Sequence, residues 1–205
     1  MHKALLSIVC LLSVSIVLSA SDFKSLRLSI DAMPENVKST AETTSQTVTG
    51  SYSYASNWSA RFGAVFDGCS ESNEWAYIMG ISARYGVAGG PNTQHATRST
   101  MALLGDGELG FAFNPRDETS LELVGIVGIG FGMARFKTAT TDESYAGTAF
   151  EYGLCFRPII EIDYGYRLFA EVGYLSTSLS YNSSGYRITD TASGAFGGAG
   201  LCVSF

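Results

Sequence analysis

Charge is scarce in this chain. Of 205 residues only 16% are Asp, Glu, Lys or Arg, against roughly 25% in an ordinary soluble domain. Basic residues are outnumbered 13 to 19 and the net charge is −6, which leaves no basic face for a phosphate backbone and argues against a nucleic-acid binder. Proline occurs 4 times and histidine twice. His95 is the one histidine beyond the N-terminal segment, and no HxH, HExxH or CxxC spacing occurs, so neither a metal nor a cofactor is expected. After residue 20 there is no run of the ~18 apolar residues that a spanning helix needs. The nearest stretch, 124–134, is interrupted by Gly125, Gly128, Gly130 and Gly132.

What the chain has in quantity is apolar residues, at 46%, together with 23 Gly, 11 Tyr and 12 Phe. Disorder needs low hydrophobicity and high charge, so it is excluded. A core-heavy soluble fold and a chain that meets lipid both remain. Residues 1–3 carry a positive charge, Leu5 to Leu18 are apolar apart from serines, and Leu18-Ser19-Ala20 is a small-residue cleavage site. Residues 1–20 therefore read as a signal peptide and 21–205 as one exported domain.

The hydrophobic period of that domain is two, the period of a strand. Between Asn57 and Asp67 one face carries Trp58, Ala60, Phe62, Ala64 and Phe66, and the other carries Ser59, Arg61, Gly63 and Asp67. Phe150, Tyr152, Leu154 and Phe156 alternate with Glu151, Gly153, Cys155 and Arg157, and Leu121, Leu123, Val127, Ile129, Phe131 and Met133 share a face opposite Glu122, Gly128, Gly130 and Gly132. Similar alternation over 26–30, 75–85, 101–113, 166–174 and 195–205 makes eight candidate strands. Most are longer than the ~5–6 residues of soluble strands and match the ~9–11 tilted residues that cross a bilayer. Their links alternate: long near 33–56, 87–99, 137–144 and 176–191, short near 68–74, 114–119 and 158–164. Short periplasmic turns and long external loops have that order.

The last strand reads GAGLCVSF, with Leu201, Val203 and Phe205 on one face. Here the sequence resembles the bacterial outer-membrane β-barrels, closest in size to the eight-stranded outer membrane protein A and X type. The resemblance spans residues 21–205 and implies an eight-stranded antiparallel transmembrane barrel with an up-and-down meander. It implies outer-membrane lipid and lipopolysaccharide as surroundings, and a C-terminal signal, Leu201, Val203 and Phe205, for the barrel-assembly machinery. With the chain ending at Phe205, no peptidoglycan-binding domain is expected.

An eight-stranded barrel leaves an interior that side chains fill. By parity the inward charges are Arg27, Asp31, Arg61, Arg84, Asp106, Glu108, Glu122, Glu151, Arg157, Arg167 and Glu171. Isolated ions in so narrow a space are costly, and Arg forks pair carboxylates well, so a salt-bridge network that plugs the lumen is expected. A gate or narrow ion path is the alternative use of the same charges. Trp58, Trp75, Tyr85, Tyr166 and Tyr174 lie toward strand ends, where interfacial girdles sit. Arg98, Arg135, Lys137 and Arg187, near the outer rim, are candidate lipopolysaccharide phosphate contacts.

Enzyme chemistry has little to draw on. Some small barrels modify lipid A with a His, a Ser and an acid, and His95 with Ser99 is the sole candidate pair; a solvated loop histidine is the simpler reading. The run 126–134 superficially resembles a dinucleotide loop, but its glycines fall on one strand face. Without Cys10 the chain has Cys69, Cys155 and Cys202, an odd number. Cys155 and Cys202 face inward on strands separated by a third, which keeps them from bridging; a Cys69 bridge stays open. A soluble ligand-carrying barrel would place apolar residues inside and is disfavoured. A role as a structural or surface-interaction protein, through an extracellular ligand of the loops, is the expected function.

Overall fold

The computed structural model describes residues 23–68, 74–93, 96–115 and 117–204. The signal segment, Cys69, His95 and Phe205 lie outside the described residues. All regular structure there is β: β1 (Phe23–Ala32), β2 (Asn36–Glu42), β3 (Thr47–Ser53), β4 (Ser56–Gly68), β5 (Trp75–Thr93), β6 (Ala96–Phe113), β7 (Thr119–Thr138), β8 (Asp142–Asp163), β9 (Tyr166–Ser183) and β10 (Tyr186–Ser204).

Eight of these close a ring. The order β1-β4-β5-β6-β7-β8-β9-β10 returns to β1, and every pair is antiparallel. The closing seam pairs Ser25 with Ser204 through Ala32 with Gly197. Closure leaves the ring no unpaired edge. The remaining two strands form a hairpin that stands on the rim opposite the short turns. β2 continues alongside β10 where β1 stops, pairing Val37 with Ala192 through Glu42 with Arg187, and β3 pairs only with β2.

The expected long loops are a correction. Stretches 87–99, 137–144 and 176–191 are mostly strand, and β8 reaches 22 residues. At ~3.3 Å per residue such strands outrun any bilayer. Above the apolar stretch their outward positions turn to hydroxyls, and these pair across the ladder: Ser176 with Ser193 at 2.9 Å, Ser178 with Thr191 at 2.9 Å, Ser180 with Thr189 at 3.0 Å. Cross-strand Ser and Thr pairs hold a sheet without apolar alternation, so the sequence period fades while the strand continues. The outer turn after β9 is two residues, Ser184 and Gly185, both at positive φ (50° and 83°), the geometry that matches strand twist in a hairpin. The link expected at 158–164 is also shorter than its sequence signal. β8 runs through Pro158, and pairing to β9 lapses between Phe156 and Ile159, where proline offers no N–H.

The interior is less uniformly polar than parity suggests. Val65, Ile78, Val124, Ile126, Leu175 and Phe196 are buried and packed together inside the ring, so apolar packing shares the lumen with the charges. Glycine makes the space. At Gly130 a Cβ would run into the Leu103 carbonyl oxygen, and at Gly128 into the Asp106 carboxylate.

Candidate functional site

Four arginines and six carboxylates occupy the middle of the lumen. Arg27 donates from both Nη atoms to the two Glu122 oxygens, at 2.7 and 2.5 Å. Arg157 reaches Glu122 at 2.9 Å and Glu108 at 3.2 Å through Nη1, and Glu171 at 3.0 Å through Nη2. Arg61 donates to Glu108 at 2.6 Å and to Glu171, and lies 3.5 Å from Asp31. These contacts form one continuous chain of alternating charge from β1 across the lumen to β7, β8, β9, β6 and β4. The planar Arg fork suits such bridging because each nitrogen can address a different carboxylate.

A second layer sits nearer the hairpin. Arg84 Nε donates to Asp106 at 3.2 Å and lies 3.3 Å from Glu151 Oε1, while Thr177 donates to Glu151 Oε2 at 2.8 Å. Arg84 Nη1 donates to the Met33 sulfur at 3.5 Å. A third layer sits at the outer mouth. Arg98 donates to Asp190 and, at 2.5 Å, to the Tyr181 hydroxyl. Its guanidinium lies 4.3 Å from the Tyr52 ring centre and 4.4 Å from that of Phe136, cation–π contacts that gain from desolvation. Tyr52, on β3, and Tyr54, just after it, share a hydroxyl contact of 3.2 Å; Tyr54 meets Thr100 at 3.1 Å. Burial pushes both phenols upward from the ordinary tyrosine range. At the opposite rim Arg167 pairs with Glu161 at 3.0 Å and donates to the Pro115 carbonyl at 2.9 Å.

The structure thus brings ten of the parity-assigned charges into contact with an opposite charge in the central layers: Arg27, Asp31, Arg61, Arg84, Asp106, Glu108, Glu122, Glu151, Arg157 and Glu171. Arg167 lies apart at the rim. Arg98 is a correction: offered as an outer phosphate contact, it is 6% exposed and turned into the mouth. Arg135, Lys137 and Arg187 are exposed on the outside. Arg135 is already paired with Asp142 at 2.5 Å; their hydrogen bonds hold the Asp142 carboxyl below its ordinary range. Residues that the strand assignment missed, Arg98, Asp190, Tyr52, Tyr54 and Tyr181, all fall in stretches taken as loops. Extending parity from Asp106 through Leu104 and Thr100 would have placed Arg98 inside.

The outside is the complement. Trp58, Trp75, Tyr85, Tyr166 and Tyr174 point outward and are exposed, as are Leu28, Ile30, Phe62, Val127, Ile129 and Phe131. Near the short turns Trp75, Tyr77 and Phe111 form an external aromatic cluster, with ring centres 5.0 and 5.2 Å apart. Leu201 is exposed and Val203 half-buried on the closing strand. Cys155 and Cys202 are buried and unbridged. No helix is long and apolar enough to cross a membrane among the described residues, and none is needed. A closed antiparallel sheet, apolar outside and charged within, is the architecture of an outer-membrane β-barrel.

No family model and no curated protein match the chain. Solved structures with a similar fold include Neisserial surface protein A, at a TM-score of 0.45 and 12% identity over 88% of this chain and 97% of that one. The attachment invasion locus protein Ail of Yersinia pestis gives 0.36 and 14%, over 88% and 99%. The outer membrane protein OprG of Pseudomonas aeruginosa gives 0.38 and 10%, over 90% and 97%. The likeness is one of barrel architecture alone.

Proposed function

We propose that this chain is a non-catalytic protein of the bacterial outer membrane whose lumen is plugged by its own ion pairs and whose outer hairpins carry a structural or surface-interaction role. The observation behind this reading is the unbroken Arg–carboxylate chain across the lumen, from Arg27 through Glu122, Arg157 and Glu171 to Arg61. Opening a path would separate buried charges, each of which costs several kcal/mol to leave unpaired. Outer-membrane lipid surrounds the exterior, and Lys137 and Arg187 supply the free cations for lipopolysaccharide phosphates. During biogenesis the partner is the barrel-assembly machinery, reading Leu201, Val203 and Phe205. Extracellular ligands would meet the Ser- and Thr-rich hairpins, β2–β3 above all, because that hairpin stands outside the ring.

Planar-bilayer recordings of the purified chain test the plug: a baseline without open events is expected, and reproducible large conductance steps would favour a pore instead. Lipid A mass spectra from cells with and without the protein test the non-catalytic part, and acyl loss dependent on His95 would overturn it.

A further inference from the structure

Between the Arg84 layer and the Arg98 latch the lumen holds a partly open chamber of about 60 Å³, room for on the order of four water molecules. Its side walls are mostly apolar, with Val37, Leu104, Ala149 and Leu179 among them beside the polar Asn57, Ser59, Thr100 and Thr177; Arg84, Glu151 and Asp190 also line it. Buried polar atoms line it without a hydrogen-bond partner among the described residues: Glu151 Oε1, Asp190 Oδ1 and Arg84 Nη2. All three side chains are at least nine-tenths buried. Native interiors rarely leave such atoms unmet, so the chamber calls for an occupant.

Charge decides its sign. Arg98 and Asp190 balance each other, but Arg84 alone faces both Asp106 and Glu151, and Asp106 Oδ1 is also unpartnered. An anion would add to that surplus. Wall chemistry decides the class. A fully coordinated metal ion needs several oxygen or nitrogen ligands at short range, and no such group of His, Cys, Asp or Glu occurs among the described residues. An alkyl body suits the walls, and an N–H-rich head suits Asp190 Oδ1 and Glu151 Oε1, which accept no hydrogen bond from the described residues although Glu151 Oε1 lies 3.3 Å from Arg84 Nε.

We propose that this chamber binds a small organic monocation, a short primary alkylammonium, with Glu151 and Asp190 accepting from its head and the aliphatic walls taking its carbon end. Entry is from the outer mouth, beside the β2–β3 hairpin, whose outer strand β3 is paired on one side only.

The test is calorimetric titration of the detergent-folded barrel with ethylammonium chloride, against sodium chloride and tetramethylammonium chloride at equal ionic strength. Saturable binding of ethylammonium alone is expected. Glu151→Gln should weaken it by at least about tenfold, and Ala149→Leu, which fills the chamber and spares both carboxylates, should abolish it. Absence of saturable ethylammonium binding, equal binding of tetramethylammonium, or retained affinity in Ala149→Leu would overturn the proposal. If Glu151→Gln does not fold, Ala149→Leu decides alone.

Discussion

Arg157 touches Glu108, Glu122 and Glu171 at once and is 1% exposed. Cutting it to alanine would leave Glu122 to Arg27 and both Glu108 and Glu171 to Arg61, three buried carboxylates sharing two arginines, and removing one partner of a buried ionic group costs about 3–5 kcal/mol. Urea unfolding of the detergent-folded or vesicle-inserted barrel should show Arg157→Ala shifted to far lower denaturant. An unchanged midpoint would mean that the network contributes no cohesion. Arg135 and Asp142 provide the contrast, for their hydrogen bonds lie on the exposed outer ends of β7 and β8. The Asp142 carboxyl is lowered by that contact, so its share of stability is present at neutral pH and lost as pH falls through the lowered value. In Arg135→Ala the Asp142 titration followed by carboxyl NMR should move back up toward an ordinary aspartate, with no measurable change in unfolding midpoint.

Strands impose a different kind of constraint, because each inward position must leave room for the layer opposite. At Gly130 in β7 a Cβ would meet backbone, the Leu103 carbonyl of β6, which cannot rotate away. At outward Gly107 the nearest atom, the Val127 carbonyl oxygen, is an ordinary 3.8 Å off. Gly130→Ala should therefore destabilise by about 1–3 kcal/mol, the usual cost of overpacking, and Gly107→Ala should be near neutral; equal loss in both would show that the β6–β7 ladder is not tight at Gly130. The inward run Gly128, Gly130, Gly132 was legible in the sequence because apolar residues alternate with it so regularly. The outer thirds of the strands were not. Ser176, Ser178, Ser180, Thr189 and Thr191 carry no hydrophobic signal, yet their hydroxyls pair across β9 and β10. Arg98 and Asp190 lie beyond the regular apolar alternation of β6 and β10, where position along the strand alone marks the inward side. Which Arg meets which carboxylate depends on the stagger between strands, and no single strand encodes it.

Closing the ring turns these local alternations into two surfaces, and the molecule stands or falls on which solvent each one meets. Val127 sits midway between Leu121 and Met133 on the outward face of β7 and is exposed. Thr148, on the adjacent β8 beyond Phe150, is also exposed and outward. In water the two sites would tolerate a charge equally well. In a bilayer an arginine on the lipid face costs about 2–4 kcal/mol at the midplane and falls to about 0–1 near the interfaces. Val127→Arg should thus lower the stability of the vesicle-inserted barrel by several kcal/mol, and Thr148→Arg should leave it nearly unchanged. Running the same pair in detergent micelles, where the apolar layer can deform around the guanidinium, should shrink the gap. Equal tolerance of both substitutions in vesicles would mean that the apolar exterior does not face hydrocarbon, and the scarcity of charge in the sequence would then need another cause.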